Sequence, residues 1–272
     1  MGPSFNEQDM SDKAPWMATR PFLNEFAIED VTREYRCRLA SLLAVDRGVQ
    51  QIVGALAASG ELDNTMVVFT SDNGFYNGEH RVPNEKYLPY EEGIHMPLLV
   101  RFPTSVGAVP TVTPTVSQID LTATIVELAG AAPCMSKNVC RVLDGRSFLP
   151  LARGESPDWA ADRGILIELD RRFGEALKNL PCLYQGIRTA TDIYVEYLSA
   201  HDPIDGLCRE TYQVELYDLA SDPFELENHY PTKPRSANRA LQEQLKARLD
   251  VLRDCAGIAG RDPAPASGHY CE

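Results

Sequence analysis

The sequence lacks several features that mark whole classes of protein. Its 272 residues contain no uninterrupted apolar run of about 18 residues, so no membrane-spanning helix is expected. Neither a Cys-x-x-Cys nor a His-x-x-x-His spacing occurs, and the pattern therefore suggests no zinc site. The N-terminal stretch has no basic region followed by an apolar segment, so it is not expected to act as a secretory signal.

Positive charge is also scarce. The chain has 26 lysines and arginines against 39 acidic residues, a net charge of −13, and the basic residues form no patch. This balance argues against nucleic-acid binding. An acidic surface also disfavours anionic substrates at long range, so capture of a sulfate or phosphate ester would depend on local cations such as Lys86 and Arg81.

The seven cysteines form an odd set. Cys134 and Cys140 bracket a short loop and could form a disulfide if the protein is exported. Free thiols are an equally good account of the same residues. The sequence leaves the pairing and the compartment open.

Hydrophobic periodicity predicts an α/β arrangement in the first half of the chain. Apolar residues recur at three- and four-residue steps from Glu29 to Ser59, which predicts an amphipathic helix ending at Gly60. Apolar, β-branched runs then predict strands at 66–71 and 96–102, and a further helix follows at 117–128. This alternation is typical of a doubly wound mixed sheet.

The second half has a different pattern. Residues 131–163 are rich in Pro, Gly and polar side chains, and we predict a boundary there between domains at 1–133 and 134–272. Asp222, Pro223 and Glu225 match the N-cap, N1 and N3 positions of a helix start, and the tail after Gly260 is expected to be loosely ordered. The spacing further predicts a small antiparallel sheet from strands at 164–170, 183–189, 193–197 and 213–219, covered by a final helix that starts near Ser236.

The segment Val67–Gly74 contains the strongest functional signal. An apolar run ends in Asp72, Asn73 and Gly74, which places oxygen-bearing side chains at the carboxyl end of a strand, where α/β sheets bind ligands. Carboxylate and amide oxygens suit Ca²⁺ or Mg²⁺. Lys86 follows in a loop otherwise supplied with acids, and a metal beside a single ammonium suits an anionic ester.

A plain hairpin turn is the alternative for Asn73-Gly74, since Asn-Gly is the strongest hairpin dipeptide. A hairpin should be followed closely by a second alternating strand. Residues 75–89 are instead polar and interrupted by Pro83 and Pro89, so the dipeptide opens a long loop. The turn alternative is weakened but stays open.

Several strings together resemble the type I sulfatases, which are members of the alkaline-phosphatase-like superfamily. The first is TSDNG…GEHR…K…YEEGIHMPLLVRFP, and it is followed by Asp144-Gly145-Arg146-Ser147 and by Leu216-Tyr217-Asp218-Leu219 with Asp222-Pro223. The opening PSFNEQDMSDK is similar to the N-acetylglucosamine-6-sulfatase branch. The resemblance covers nearly the whole chain and corresponds to the C-terminal half of such an enzyme.

The resemblance implies roles for particular residues. Asp72 and Asn73 would bind the metal, with Ca²⁺ favoured over Mg²⁺, and Lys86 would bind the sulfate. His80, in Gly-Glu-His, would donate to the substrate or act as an acid, although an ordinary loop histidine is an equal alternative. The implied substrate is a sulfated sugar such as 6-sulfated N-acetylglucosamine of glycosaminoglycans, and the implied location is periplasmic, extracellular or lysosomal.

One family element does not occur in residues 1–272. Sulfatases oxidise the first residue of Cys/Ser-x-Pro-x-Arg to formylglycine, and no cysteine or serine here fits that pattern. We therefore expect formylglycine to come from sequence outside this chain and no measurable activity from the chain alone. A non-catalytic remnant or binding module is one alternative, and a phosphate or phosphonate ester hydrolase is another.

Overall fold

A computed structural model describes residues 2–131, 134–136, 139–140, 142–171, 180–202, 204–230 and 238–271. The side chains of the strand residues between 134 and 140 lie outside this description. The possible Cys134–Cys140 disulfide and the predicted Ser236 cap therefore lie outside the described residues.

The helices form close to where the periodicity predicts them. α2 begins one turn earlier than expected, because the Asn24 side chain accepts a hydrogen bond from the Ala27 N–H at 2.9 Å. It ends at Gly60, which has the left-handed φ of +79° that glycine tolerates best. The helices are α1 (Pro15–Ala18), α2 (Glu25–Ser59), α3 (Glu91–Ile94), α4 (Gln118–Leu128), α5 (Leu149–Ala152) and α6 (Arg239–Leu252).

Most of the apolar side of α2 is in contact with solvent. Val31 is its one buried residue, whereas apolar residues throughout its length are exposed. The predicted amphipathic helix is therefore present, but the described residues do not cover its apolar side. The exposed residues include Phe26, Tyr35, Leu39, Leu42, Leu43, Val49 and Ile52. No helix among the described residues is long and apolar enough to cross a bilayer.

The strands form three described sheets. β1 pairs antiparallel with β2, with Val67 opposite Arg101 and Thr70 opposite Leu98. β3 and β4 form a second antiparallel pair, and the remaining strands form a sheet in the order β5-β6-β7-β8. The strands are β1 (Val67–Thr70), β2 (Leu98–Arg101), β3 (Cys134–Ser136), β4 (Val139–Cys140), β5 (Ile165–Asp170), β6 (Pro181–Arg188), β7 (Asp192–His201) and β8 (Cys208–Asp218).

Two short-range predictions are wrong. No helix begins at Asp222; the segment is a turn, and Glu225 has a φ of +53° with its side chain fully buried. The tail after Gly260 is not loose, because a Cys255–Cys271 disulfide and a backbone hydrogen bond from Ala256 N–H to the His269 carbonyl at 3.0 Å hold it.

The chain divides into two compact units that are interleaved in sequence. Unit 1 comprises residues 1–105, 168–184 and 195–230, and unit 2 comprises 106–167, 185–194 and 231–272. The organisation into domains at 1–133 and 134–272 stays a prediction.

The core of unit 1 is rich in aromatic side chains. Trp16 meets the ring of Tyr197 edge-on at 5.3 Å, and Tyr90 meets Tyr217 at 6.0 Å. Tyr90, Tyr197 and Tyr217 are almost completely buried. Each buried tyrosine hydroxyl needs a hydrogen-bond partner, so this core is built around polar groups as well as apolar area.

The core of unit 2 is organised by a buried ion pair. Asp120, in the first turn of α4, is bound by both guanidinium nitrogens of Arg163, at 2.5 and 2.8 Å. The same carboxylate accepts from the backbone N–H groups of Ser117 and Arg146, at 2.7 and 2.8 Å. It thereby joins the start of α4 to the predicted Asp144–Ser147 motif.

Disulfides constrain both units. Cys182–Cys208 lies in unit 1 and Cys255–Cys271 in unit 2, with sequence separations of 26 and 16 residues. Cys37 is free and exposed.

We predict that replacing Cys182 and Cys208 by serine lowers the free energy of unfolding of unit 1 by about 3 kcal/mol. Closing a 26-residue loop restricts the unfolded chain by roughly that amount. Urea unfolding of the purified chain measures the change. Cys37→Ser is the matched control, since an exposed thiol on α2 has no disulfide to lose, and equal stability of both variants would contradict the assignment.

Candidate functional site

The predicted metal ligands lie where β1 ends. Asp72 is exposed and Asn73 is half-buried. The Ser71 hydroxyl donates to the Asn73 carbonyl at 2.9 Å, and the Asn73 side-chain amide donates to the Gly74 carbonyl at 2.7 Å. These local bonds keep the backbone in a tight loop that points away from the strand.

Gly74 fixes this loop against α3. Its N–H donates to the Gly93 carbonyl at 2.9 Å, and a Cβ at position 74 would lie 2.0 Å from the Glu92 carbonyl oxygen. Neither Asn73 nor Gly74 has a positive φ, whereas a type I′ hairpin turn needs one at both positions. The hairpin alternative is therefore wrong, and the glycine serves a close backbone approach.

Lys86 is exposed on the long loop between Gly74 and α3. This loop folds back on itself through a bond from Tyr76 N–H to the Glu85 carbonyl at 2.9 Å. The Tyr76 hydroxyl, which is buried, donates to the Leu88 carbonyl at 3.2 Å. Backbone pairing on one side of Lys86 and a buried hydroxyl on the other hold the segment that carries it.

His80 is not on this exposed surface. Its ring is fully buried, with Nδ1 2.6 Å from a Glu7 carboxylate oxygen and Nε2 3.6 Å from Glu92 Oε2. The ring stacks on Tyr90 at 4.4 Å. The Lys13 ammonium, also buried, lies 3.1 Å from the other Glu7 oxygen. Histidine and lysine thus share one buried carboxylate.

Burial and the neighbouring carboxylates have opposite effects on the pKa of His80. Burial disfavours the imidazolium, but the hydrogen bonds and charges of Glu7 and Glu92 outweigh it and raise the pKa of His80 to about 9. Burial alone would raise the pKa of Glu92, yet His80 lowers it. An imidazolium with this pKa is poorly matched to acid–base work near neutral pH. The role of His80 toward the substrate stays a prediction, and the described contacts favour a structural role.

Glu225 lies beside the same cluster. Its Oε2 accepts from the Glu91 N–H at 2.7 Å, at the start of α3. Burial raises its pKa well above the usual value. The ligand atoms of His80, Glu92 and Glu225 all lie within 4.8 Å of one another.

A second buried carboxylate, that of Glu215, supports the segment between Lys86 and α3. Glu215 accepts from the hydroxyls of Tyr90 and Tyr197, both at 3.0 Å, and from the Ala14 N–H at 2.8 Å. Burial raises its pKa. Because Tyr90 immediately precedes α3, this carboxylate positions the segment that follows Lys86.

Arg81 is not available as a local cation for an anionic substrate. Its guanidinium donates to the backbone carbonyls of Glu7, Gln8 and Arg20 at 2.8–2.9 Å and covers the ring of Phe22. The expectation that Arg81 helps to capture the substrate is therefore wrong. Its φ of +58° turns it toward the N-terminal segment.

Two groups of potential metal ligands occur among the described residues. One is His80, Glu92 and Glu225; the other is Cys182, His201 and Cys208. The second cannot bind a metal while its two sulfurs are joined in a disulfide. Asp72 belongs to neither group.

Residues 5–131 match the family model named Sulfatase. This match places residues 5–131 in the sulfatase family. It is 31% identical over 271 residues to N-acetylglucosamine-6-sulfatase from Capra hircus, and the match covers 90% of the chain and 44% of that relative. The chain therefore spans less than half of the length of this curated relative.

Solved structures give the same result for the fold. BT4656, in complex with its substrate D-glucosamine-2-N,6-O-disulfate, is similar at 27% identity with a TM-score of 0.60, covering 78% of this chain and 38% of that one. Phosphonate monoester hydrolase of Agrobacterium radiobacter is similar at 28% identity with a TM-score of 0.58, covering 77% and 39%. The predicted sulfatase resemblance and the alkaline-phosphatase-like α/β class are confirmed.

The buried cluster was not predicted from the sequence. Glu7 lies in the string PSFNEQDMSDK and Glu225 in the predicted helix start, but neither pattern gave a sign of burial. The signal lies in the structure of the loop after Gly74, where His80 and Arg81 are adjacent and both have positive φ. Such backbone geometry in residues other than glycine needs strong support from neighbouring groups.

We predict that Tyr197→Phe lowers the free energy of unfolding by about 1.5–3 kcal/mol, the usual range for a hydrogen bond to a charged group. The change removes one donor from the buried Glu215 carboxylate. Urea unfolding measures the effect. Tyr35→Phe is the control, because that side chain is 48% exposed, and a loss as large in the control would refute the proposed bond.

Proposed function

We propose that this chain carries the metal- and sulfate-binding part of a sulfuric ester hydrolase that acts on 6-sulfated N-acetylglucosamine in glycosaminoglycans. The observation that carries the proposal is the similarity to N-acetylglucosamine-6-sulfatase over 90% of the chain. The oxygen-bearing Asp72 and Asn73 at the end of β1 and the exposed Lys86 on the loop that follows support it.

Asp72 and Asn73 fit a hard cation in donor type. Both offer oxygen atoms, one of them charged, at the end of a strand, and Ca²⁺ or Mg²⁺ binds such ligands. They are two of the six to eight oxygens that Ca²⁺ typically takes. Asp72 is exposed, so its carboxylate is accessible to an ion and to further ligands.

Lys86 is the proposed sulfate-binding residue. Its ammonium is exposed, whereas the guanidinium of the nearby Arg81 is committed to backbone carbonyls. A fixed positive charge stabilises a sulfate oxygen and the charge that develops on the leaving oxygen. A metal held by Asp72 and Asn73 would polarise the sulfate and lower the barrier to attack.

Formylglycine supplies the nucleophile in this family, and residues 1–272 contain no Cys/Ser-x-Pro-x-Arg from which it could form. We propose that a segment outside these residues provides it. The residues of this chain then bind and orient the ester, and His80 supports the loop rather than transferring a proton. The chain by itself is expected to show no turnover.

A phosphonate or phosphate ester hydrolase is a second candidate, because a phosphonate monoester hydrolase is among the similar structures. Both esters are tetrahedral anions that a metal and an ammonium can hold. Parallel assays of an aryl sulfate and an aryl phosphate decide between them, using protein in which residues 1–272 are joined to a formylglycine-bearing segment. We expect a higher kcat/KM for the sulfate; a preference for phosphate would overturn the proposal.

A binding module without catalytic function is the other alternative. The transcript sequence on the 5′ side of codon 1 separates it from an enzyme. An in-frame Cys/Ser-x-Pro-x-Arg there supports the hydrolase, and a stop codon or unrelated sequence supports the binding module.

In the protein that joins residues 1–272 to a formylglycine-bearing segment, we predict that Asp72→Ala removes both bound Ca²⁺ and turnover. The reason is that a hard cation loses its charged ligand. Metal analysis after gel filtration measures the calcium content. Asp46→Ala, on the exposed surface of α2, is the control and should retain both. Unchanged calcium in the Asp72 variant would refute the ligand assignment.

We predict that Lys86→Ala lowers kcat by about 10²–10³-fold, the usual loss when one pre-placed donor to developing charge is removed. Calcium content should not change. Lys246→Ala on α6 is the matched control, since its ammonium pairs with Asp250 on the surface. A near-normal rate in the Lys86 variant would show that this lysine is an ordinary surface residue.

We also propose that the protein works in an oxidising compartment, as an exported or lysosomal enzyme. The two described disulfides support this location, because such bonds are rare in proteins of the reducing cytosol.

A further inference from the structure

Two buried side chains and one half-buried side chain in unit 1 bring polar atoms close together. One ligand atom from each of His80, Glu92 and Glu225 lies within 4.8 Å of the other two. Nε2 of His80 and Oε2 of Glu92 form only a long ion-pair contact of 3.6 Å, and Oε1 of Glu225 has no hydrogen-bond partner. His80 and Glu225 are fully buried, so bulk water does not satisfy them.

The remaining polar atom of each side chain is firmly held. Nδ1 of His80 lies 2.6 Å from Glu7, Oε1 of Glu92 accepts from the Ser4 hydroxyl at 3.0 Å, and Oε2 of Glu225 accepts from the Glu91 N–H at 2.7 Å. These bonds orient the three groups before anything binds between them. Each side chain therefore has one polar atom held by a neighbour and a second polar atom directed at the other two side chains. This arrangement suits a ligand that binds between them.

Leaving such atoms unpaired is costly. A buried polar atom without a hydrogen bond destabilises the fold, and such atoms of three side chains meet here. A single species that binds all three removes the cost at one step. One imidazole nitrogen and two carboxylate oxygens form a donor set that Zn²⁺ and related first-row divalent ions accept.

We propose that His80, Glu92 and Glu225 bind a divalent transition-metal ion, which replaces the proton on Nε2 of His80 and releases it to solvent, while Glu7 orients the imidazole ring. The 3.6 Å between His80 Nε2 and Glu92 Oε2 is close to the ~3.4 Å that separates two ligands of a tetrahedral zinc ion. The Glu7–His80 pair matches the carboxylate–histidine–metal relay that commonly supports such ions.

This site differs from the one proposed at Asp72 and Asn73. That site offers only oxygens and is exposed, which suits a hard cation, whereas this one includes a nitrogen and is buried. The charge is suitable as well. Lys13 lies 3.1 Å from Glu7 and offsets its charge, so two carboxylates remain to balance a dication.

The expected role of the ion is structural. It would join the loop that precedes Lys86 to α3 and to the turn that contains Glu225. These segments are far apart in sequence. A shared ion would bind the polar side-chain atoms that lack hydrogen bonds where the segments meet. The Glu92 side chain is 22% exposed and marks the side from which an ion enters.

Zinc binding by the chelator-treated 272-residue chain tests the proposal. We expect one equivalent of Zn²⁺ by isothermal titration calorimetry and a higher thermal midpoint when it is bound. Glu225→Gln should abolish both effects, because its amide nitrogen cannot act as the inward ligand. Glu61→Gln, which changes an exposed carboxylate on the surface, should bind zinc as the wild type does.

X-ray absorption of the zinc-loaded wild type gives a second readout that does not depend on the folding of a variant. We expect one imidazole nitrogen and oxygen ligands, with the same spectrum in Cys37→Ser. No zinc binding by the wild type, unchanged binding by a folded Glu225→Gln, or sulfur in the coordination shell would each overturn the proposal. None of these outcomes bears on calcium at Asp72, which is measured separately.

Discussion

The buried Glu7 carboxylate organises the candidate site. An ionised group taken out of water is stable only when other charges and donors replace the water. Glu7 finds His80 at 2.6 Å and Lys13 at 3.1 Å, and its own backbone carbonyl accepts from Arg81. The N-terminal segment is thereby tied to the loop after β1. Removing any one partner would leave an uncompensated charge in the interior, so these contacts act as one unit.

Buried carboxylates also need hydrogen-bond donors along the segment that carries Lys86. Glu225 requires the Glu91 N–H and Glu215 requires the Tyr90 hydroxyl, so two acidic side chains from the second half of the chain fix the start of α3. Gly74 brings the loop of Asp72 and Asn73, the proposed metal ligands, against the backbone of α3. The exposed residues of the candidate site are therefore supported by buried carboxylates and their hydrogen-bond donors. These buried residues, which are not at the exposed surface, set the geometry of the site.

The main elements could be predicted because they follow from local periodicity. α2, α4 and β1 lie close to the predicted positions, since apolar spacing and residues such as Asn24 and Gly60 act within a few residues of themselves. The role of Glu225 could not be predicted in this way. Its local pattern favours a helix N-terminus, but a distant N–H and a buried position override that preference. Burial of charge depends on tertiary partners, and one sequence does not reveal which acids find them.

Electrostatics explain why few residues can serve an anionic substrate here. The net charge of −13 repels a sulfated sugar at long range, so attraction must arise within a few ångströms of the bound group. The Arg81 guanidinium is hydrogen-bonded to backbone carbonyls, and His80 forms ion pairs with Glu7 and Glu92 inside the core. Lys86 is exposed, and Asp72 and Asn73 offer oxygens to a hard cation rather than to the ester itself. A dication bound at the proposed site would convert an acidic loop into a surface that attracts sulfate, so under this proposal the metal would contribute to substrate binding as well as to chemistry.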